Sequence, residues 1–172
     1  LMQSFSKAKS IDEVIQIYLE HTSQLLGNKP VIFFTHLASY MSLLVSHVVG
    51  FEKEALRNVG VSLKTIDAKE YVNLLKDPMK LVPLKQLIAQ VFKTDKYFAF
   101  PIEEETAVSG VVLVLDDVTD VSIRRLLDSF SQMFKVSYLN SKMQKRIHDM
   151  AIKDSLTGLY NRRYFNEKLE DE

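Results

Sequence analysis

Residues 97–115 read Tyr97-Phe98-Ala99-Phe100-Pro101-Ile102, then Glu103-Glu104-Glu105-Thr106, then Ala107-Val108-Ser109 and Gly110-Val111-Val112-Leu113-Val114-Leu115. The first block is strand-like, with Pro101 near its end. The second is a charged turn, in which three glutamates face solvent rather than a metal. The last is an unbroken apolar run of strand length. Such a run lacks polar alternation because both faces are buried, which places it at the centre of a sheet.

Upstream, Ser10-Ile11-Asp12-Glu13 has the form of a capping box, in which Ser10 and Glu13 satisfy free N–H groups reciprocally. Ile11, Val14, Ile15, Tyr18, Leu19, Leu25 and Leu26 repeat at helical spacing, and Gly27-Asn28-Lys29-Pro30 stops that helix. Val31 to Leu37 and Ser42 to Val49 follow as a hairpin of β-branched and aromatic residues. The middle is mostly helical. A short helix is expected over Phe51 to Asn58, a short strand over Val61 to Ile66, a helix from Asp67 to Lys76, and another from Pro83 to Phe92.

The order helix, hairpin, helices, hairpin, long helix predicts an α+β sandwich, with an antiparallel sheet between helical layers and a long C-terminal connector helix. Ser10 to about Asn140 resembles a GAF domain. The resemblance is carried by Phe100-Pro101-Ile102, a turn, and Gly110 to Leu115 running into the long helix. The related PAS fold has a similar order and stays open at this point.

Asp154-Ser155-Leu156-Thr157-Gly158-Leu159-Tyr160-Asn161-Arg162-Arg163-Tyr164-Phe165 resembles the D-x-L-T-G-L-x-N-R-R-x-F signature that opens a GGDEF, or diguanylate cyclase, domain. The motif positions are Asp154, Leu156, Thr157, Gly158, Asn161, Arg162, Arg163 and Phe165. The resemblance implies a turn and a salt bridge at a domain entrance, with Asp154 as the partner of an arginine. Every glycine is isolated, so the Gly-Gly pair of the catalytic loop is absent. This chain is therefore expected to be non-catalytic, and to precede a cyclase domain that binds GTP and Mg2+ itself. The expected organisation is an extension over 1–9, a GAF-like sensory domain over 10–138, a coiled-coil connector over 139–153 and the GGDEF start over 154–172.

Ser122 to about Lys153 contains no Gly or Pro. Ile123, Leu127, Phe130 and Phe134 form a stripe expected to pack on the sheet. A second stripe obeys a seven-residue repeat: Leu126, Met133, Asn140 and Ile147 at one position, Val136, Met143 and Met150 three residues later. That is the a/d seam of a coiled coil, with a polar Asn at an a position that favours an in-register parallel pair. A homodimer is expected through it.

GAF domains often enclose a small ligand between the sheet and the middle helices. The resemblance points to His36, Tyr40, Tyr71, Phe98 and Phe100 as ligand-binding candidates, although aromatics at strand spacing more often simply fill a core. No cofactor is identified within the chain. The four histidines show no metal-ligand spacing, a Gly-rich phosphate loop is absent, and Ser-His-Asp catalysis has no support from spacing alone. The Asn-Lys-Phe-Asp-Glu motif of cyclic-nucleotide-binding GAF domains is missing. With no Cys, thiolate zinc sites, bilin attachment and cysteine catalysis are excluded.

Twenty-two basic residues balance 22 acidic ones, so there is no electrostatic case for nucleic acid or an anionic membrane surface. The 172 residues are 47% hydrophobic, enough for a packed core, and no apolar run approaches the ~20 residues of a membrane span. A cytoplasmic location is expected.

Overall fold

The computed structural model describes residues 1–153 and 156–170. A short helix, α1 (Met2–Lys7), precedes α2 (Ile11–Leu25). Ser10 caps α2, accepting the Glu13 N–H at 3.2 Å. The Glu13 carboxylate reaches back to the Lys9 N–H at 2.7 Å, one residue beyond the donor that a reciprocal capping box uses. At the other end, Gly27 and Asn28 both take positive φ, and the Asn28 N–H donates to the Ser23 carbonyl at 2.8 Å. This is a Schellman stop, in which the left-handed residue turns the chain back onto the last free carbonyls.

Two strands follow, β1 (Val31–Leu37) and β2 (Ser42–Val49), then β3 (Gly60–Ser62), α3 (Tyr71–Leu75), α4 (Val82–Val91), β4 (Phe98–Glu103) and β5 (Val108–Val114). All strand pairs are antiparallel, in the order β3-β2-β1-β5-β4. The apolar run read as a central strand is β5, paired on both sides and buried along nearly its whole length. Pro101 lies in β4, an edge strand, where its missing N–H is tolerated. Gly110 is required by a close approach: a Cβ there would sit 2.5 Å from the Phe34 carbonyl oxygen and 2.6 Å from the Phe33 ring.

Alternation along the strands builds two cores. On one face, Ile32, Phe34, Leu43, Val111 and Leu113 pack against Leu75, Leu84 and Ile88 of α3 and α4. On the other, Phe33, Ile102, Val112 and Val114 pack against α1, α2 and the long helix α5 (Val121–Ile152). Phe134 of α5 is the centre of the second core: it stacks on Tyr18 at 4.3 Å and meets the Phe33 ring edge-on at 6.2 Å. The Tyr18 hydroxyl is 2.9 Å from the Ser131 hydroxyl, and its burial pushes its pKa well above the ordinary value. Phe5 of α1 also belongs to this core, so residues before Ser10 contribute packing.

The middle segment differs from expectation. The helix expected over Phe51 to Asn58 is a single 3-10 turn at Glu54–Leu56, because Asn58 turns left-handed and Val59 rejoins the β2 ladder through Val45 N–H at 2.9 Å. The helix expected from Asp67 is helical only over Tyr71–Leu75. The Asp67 side chain instead accepts the Lys69 N–H at 2.8 Å, closing a local turn that competes with helix.

Helix α5 starts at Asp120, whose carboxylate accepts the Ser122 and Ile123 N–H groups at 2.8 and 3.1 Å. Its 32 residues span about 48 Å at 1.5 Å per residue. Leu127 and Phe134 are buried against the sandwich as expected, with Ile123 and Phe130 partly buried beside them. A last helix, α6 (Arg162–Glu170), follows a break.

Candidate functional site

At the end of the sandwich reached by the C-terminus of β1, a cleft of about 350 Å³ opens between α3, the β4–β5 turn and α5. His36 projects from β1 on the α3 side. Its Nδ1 is 2.8 Å from the Val108 carbonyl oxygen. A carbonyl only accepts, so Nδ1 carries the proton, and in the neutral ring Nε2 holds a lone pair. Nε2 is buried and has no hydrogen-bond partner among the described residues. The Tyr71 ring packs beside the imidazole, centroids 5.8 Å apart.

Across the cleft, Glu104 of the β4–β5 turn pairs with Lys142 of α5, Nζ to Oε1 2.6 Å. The Ser109 hydroxyl donates to the same carboxylate oxygen. Burial alone raises the Glu104 carboxyl, but the bonds from Lys142 and Ser109, with the charges of Lys142 and Arg146, outweigh it and hold the group below its ordinary value. Glu104 was expected to be a solvated turn residue. Its side chain is instead only 23% exposed, because α5 passes beside the turn. Lys142 lies one helical turn beyond Tyr138, on the same side of α5. No periodic signal links residues so far apart, so sequence reasoning missed both partners.

Of the five ligand candidates, His36 and Tyr71 come together in this cleft. Tyr40 is exposed on the β1–β2 connection. Phe98 and Phe100 lie on β4 against the opposite core, where the Arg124 guanidinium sits 5.2 Å from the Phe98 ring centre.

A second polar group lies on the other core face. His47 Nε2 is 3.1 Å from Asp12 Oδ1, His47 Nδ1 is 2.9 Å from the Ser46 hydroxyl, and Thr35 donates to Ser46 at 2.8 Å. Burial lowers the His47 pKa against the opposing pull of Asp12. The ring is therefore neutral at pH 7, donating to Asp12 and accepting from Ser46. Ser46 is the extra residue of a β-bulge in β2, which turns its side chain toward His47. This series of groups is not a shielded triad. The Asp12 side chain is 84% exposed, and Ser46 already accepts from Thr35. Among the described residues, no group of three or more His, Asp or Glu side chains is arranged to hold a metal.

The expected seam lies along α5. Leu126 and Val136 are exposed, and Met143, Ile147 and Met150 are 59%, 63% and 79% exposed. Asn140 is exposed with them, while Met133 is half-buried against the protomer's own core. Past α5, Gly158 takes φ +68° in open space, and Asn161 links two helices. Its side-chain amide donates to the Ala151 carbonyl and its backbone N–H to the Ile152 carbonyl, both at 2.5 Å, while its Oδ1 accepts the Tyr164 N–H at 2.9 Å. Asn161 thus caps the C-terminus of α5 and the N-terminus of α6 together. Arg163 pairs with Glu167 at 3.1 Å, Phe165 is exposed, and Leu156, Thr157 and Arg162 lie in or beside the intervening turn. Asp154, the expected arginine partner, lies outside the described residues.

Solved structures share this arrangement of sheet, flanking helices and long helix. A methyl-accepting chemotaxis protein fragment, residues 122 to 287, superposes with a TM-score of 0.61 at 14% identity, covering 84% of this chain and 98% of that one. The GAF domain of an Acinetobacter phosphoenolpyruvate-protein phosphotransferase gives 0.59 at 12% identity, over 83% and 90%. The fold is GAF-like. The GAF domain of the Coxiella burnetii phosphoenolpyruvate-protein phosphotransferase agrees, at 0.61 and 9% identity over 84% and 91%. The choice left open between GAF and PAS is thereby resolved for GAF. At these identities the likeness concerns the fold alone. No family model matches the chain, and no curated protein matches it in sequence. Among the described residues, no helix of this GAF-like chain is long and apolar enough to cross a membrane.

Proposed function

We propose that the chain is a cytoplasmic sensory and dimerisation module that regulates a diguanylate cyclase. One observation carries the reading: α5 is anchored in the sandwich at Phe134, touches the His36 cleft at Lys142, and then presents a solvent-exposed seam at Met143, Ile147 and Met150. A single rigid element thus meets a cleft and offers a pairing surface. The residues from Asp154 to Phe165 supply the cyclase part, through their resemblance to a GGDEF opening.

Two cyclase domains must face each other to join two GTP molecules, so the rate depends on how the pair is held. A homodimer through α5 sets that geometry. A ligand in the cleft shifts it only by binding one arrangement more tightly than the other. The Glu104–Lys142 pair is the contact through which the cleft biases α5. GTP and Mg2+ belong to the cyclase domain, not to this module.

The test is an assay of the full-length protein with GTP and Mg2+. The reading expects cyclic di-GMP, and expects Met143→Glu to suppress its formation by repelling the partner helix. Absence of product from a folded, dimeric protein would remove the cyclase assignment. A second reading has its own support: the interior facing α3 and α4 is filled by Ile32, Phe34, Leu43, Leu84 and Ile88, each fully buried. Under it, the domain only dimerises and binds no small molecule.

A further inference from the structure

The Glu104–Lys142 pair leaves part of its bonding capacity unused, and His36 lines the same cleft with its Nε2 buried and without a partner among the described residues. Glu104 accepts Lys142 and Ser109 through Oε1, and its Oε2 has no hydrogen-bond partner among the described residues. Lys142 uses one of its three N–H groups on Glu104. Among the described residues, the cleft therefore brings together two unused acceptors, the buried His36 Nε2 and Glu104 Oε2, and the cationic donor Lys142. Its lining charges cancel. Tyr71, Val72 and Leu75 form an apolar wall beside them.

We propose that the cleft binds a small zwitterion of the amino-acid type, with its ammonium on Glu104 Oε2 and His36 Nε2, its carboxylate on Lys142, and an apolar side chain against Tyr71 and Leu75. This deepens the sensory reading above and rests on it. A buried acceptor without a donor is costly, and a ligand N–H relieves that cost. Because Nε2 is buried, a neighbouring side chain has to move as the ligand enters, and we assign that movement to the Tyr71 ring, whose centroid is 5.8 Å from that of the imidazole. A polyanion finds no match here, since Lys142, the lining cation among the described residues, is already paired with Glu104. A cleft of about 350 Å³ has room for one amino acid.

The experiment uses the 172-residue chain. Free leucine, phenylalanine and the other apolar amino acids are titrated at up to ~10 mM, with their N-acetyl and methyl-ester forms as controls. Thermal shift reads binding, and the ¹⁵N resonances of the histidine rings read the site. The expected result is a rise in Tm with at least one free amino acid and a shift of the His36 Nε2 resonance. Lys142→Gln should weaken binding about tenfold or more, as expected for losing a charge-assisted bond. Equal binding of the blocked forms would overturn the zwitterion. So would the absence of any binding, or a Tm rise that leaves His36 Nε2 unmoved. Failure here is separable from failure of the sensory reading. Amino-acid binding with no change in self-association sinks the coupling and leaves the ligand class. A different molecule that alters association does the reverse.

Discussion

Lys142 Nζ lies 2.6 Å from Glu104 Oε1, and this contact ties the outer half of α5 to the turn between β4 and β5. Upstream of it, α5 is held by the core around Phe134. Downstream, its apolar residues face solvent. The pair thus stands where the helix stops belonging to the sandwich and becomes available to a partner.

The pair should carry a small, measurable coupling. Lys142 is 40% exposed, so solvent screening discounts its attraction to Glu104. A double-mutant cycle with Glu104→Gln and Lys142→Met, read by urea unfolding, should give a coupling of about 0.5–1 kcal/mol. A coupling of zero would make the pair an ordinary surface contact.

Two groups give the fold an acid-sensitive stability. His47 binds its proton less readily when folded, so the unfolded chain holds more protons as pH falls through 6.5, and stability declines from there down to the lowered folded value. Glu104 is also depressed, so its contribution is present above its ordinary value of 4.5 and is lost as pH falls through the lower folded one. Tm should therefore fall in two steps on acidification. His47→Gln should remove the upper step and leave the lower one.

Phe134 should be the costliest α5 residue to truncate. It is fully buried among Tyr18, Phe33, Phe5 and Tyr138. Phe134→Ala should cost about 3–5 kcal/mol through lost burial and a residual cavity. Chemical denaturation measures it, with Lys145→Ala, exposed and off the seam, expected to stay within about 0.5 kcal/mol.

Asn161 should control the junction. Asn161→Ala removes the α6 cap and the side-chain bond to the Ala151 carbonyl, at a cost of about 0.5–2 kcal/mol to local structure. Hydrogen exchange should accelerate at Tyr164 and Phe165, while amides of β1 and β5 keep their protection.

Much of the fold was legible because it rests on local pattern. The β1 and β2 limits follow from β-branched and aromatic runs, β5 from its continuous apolar character, and α5 from the absence of breakers. The middle was less legible. Near Asp67, a side chain that bonds its own turn competes with the helix its neighbours favour, and near Asn58 the return to the β2 ladder overrides a helical pattern. The cleft was half legible. His36 and Tyr71 carry recognisable chemistry, but Glu104 and Lys142 meet only because α5 runs past the β4–β5 turn. Their charges alone read as solvated surface. The Ser46–His47 contact depends on a bulge that no spacing rule announces.

The central claim is that α5 pairs with its counterpart in parallel and in register, and disulfide trapping tests it most directly. Met143 occupies a d position and Lys145 an f position of the same heptad. In an in-register parallel pair, identical d positions face each other and identical f positions point apart. The account predicts that Met143→Cys forms a covalent dimer rapidly under mild oxidation, whereas Lys145→Cys stays monomeric under reducing-free electrophoresis. Equal cross-linking at both positions, or none at Met143 in the folded protein, would contradict it.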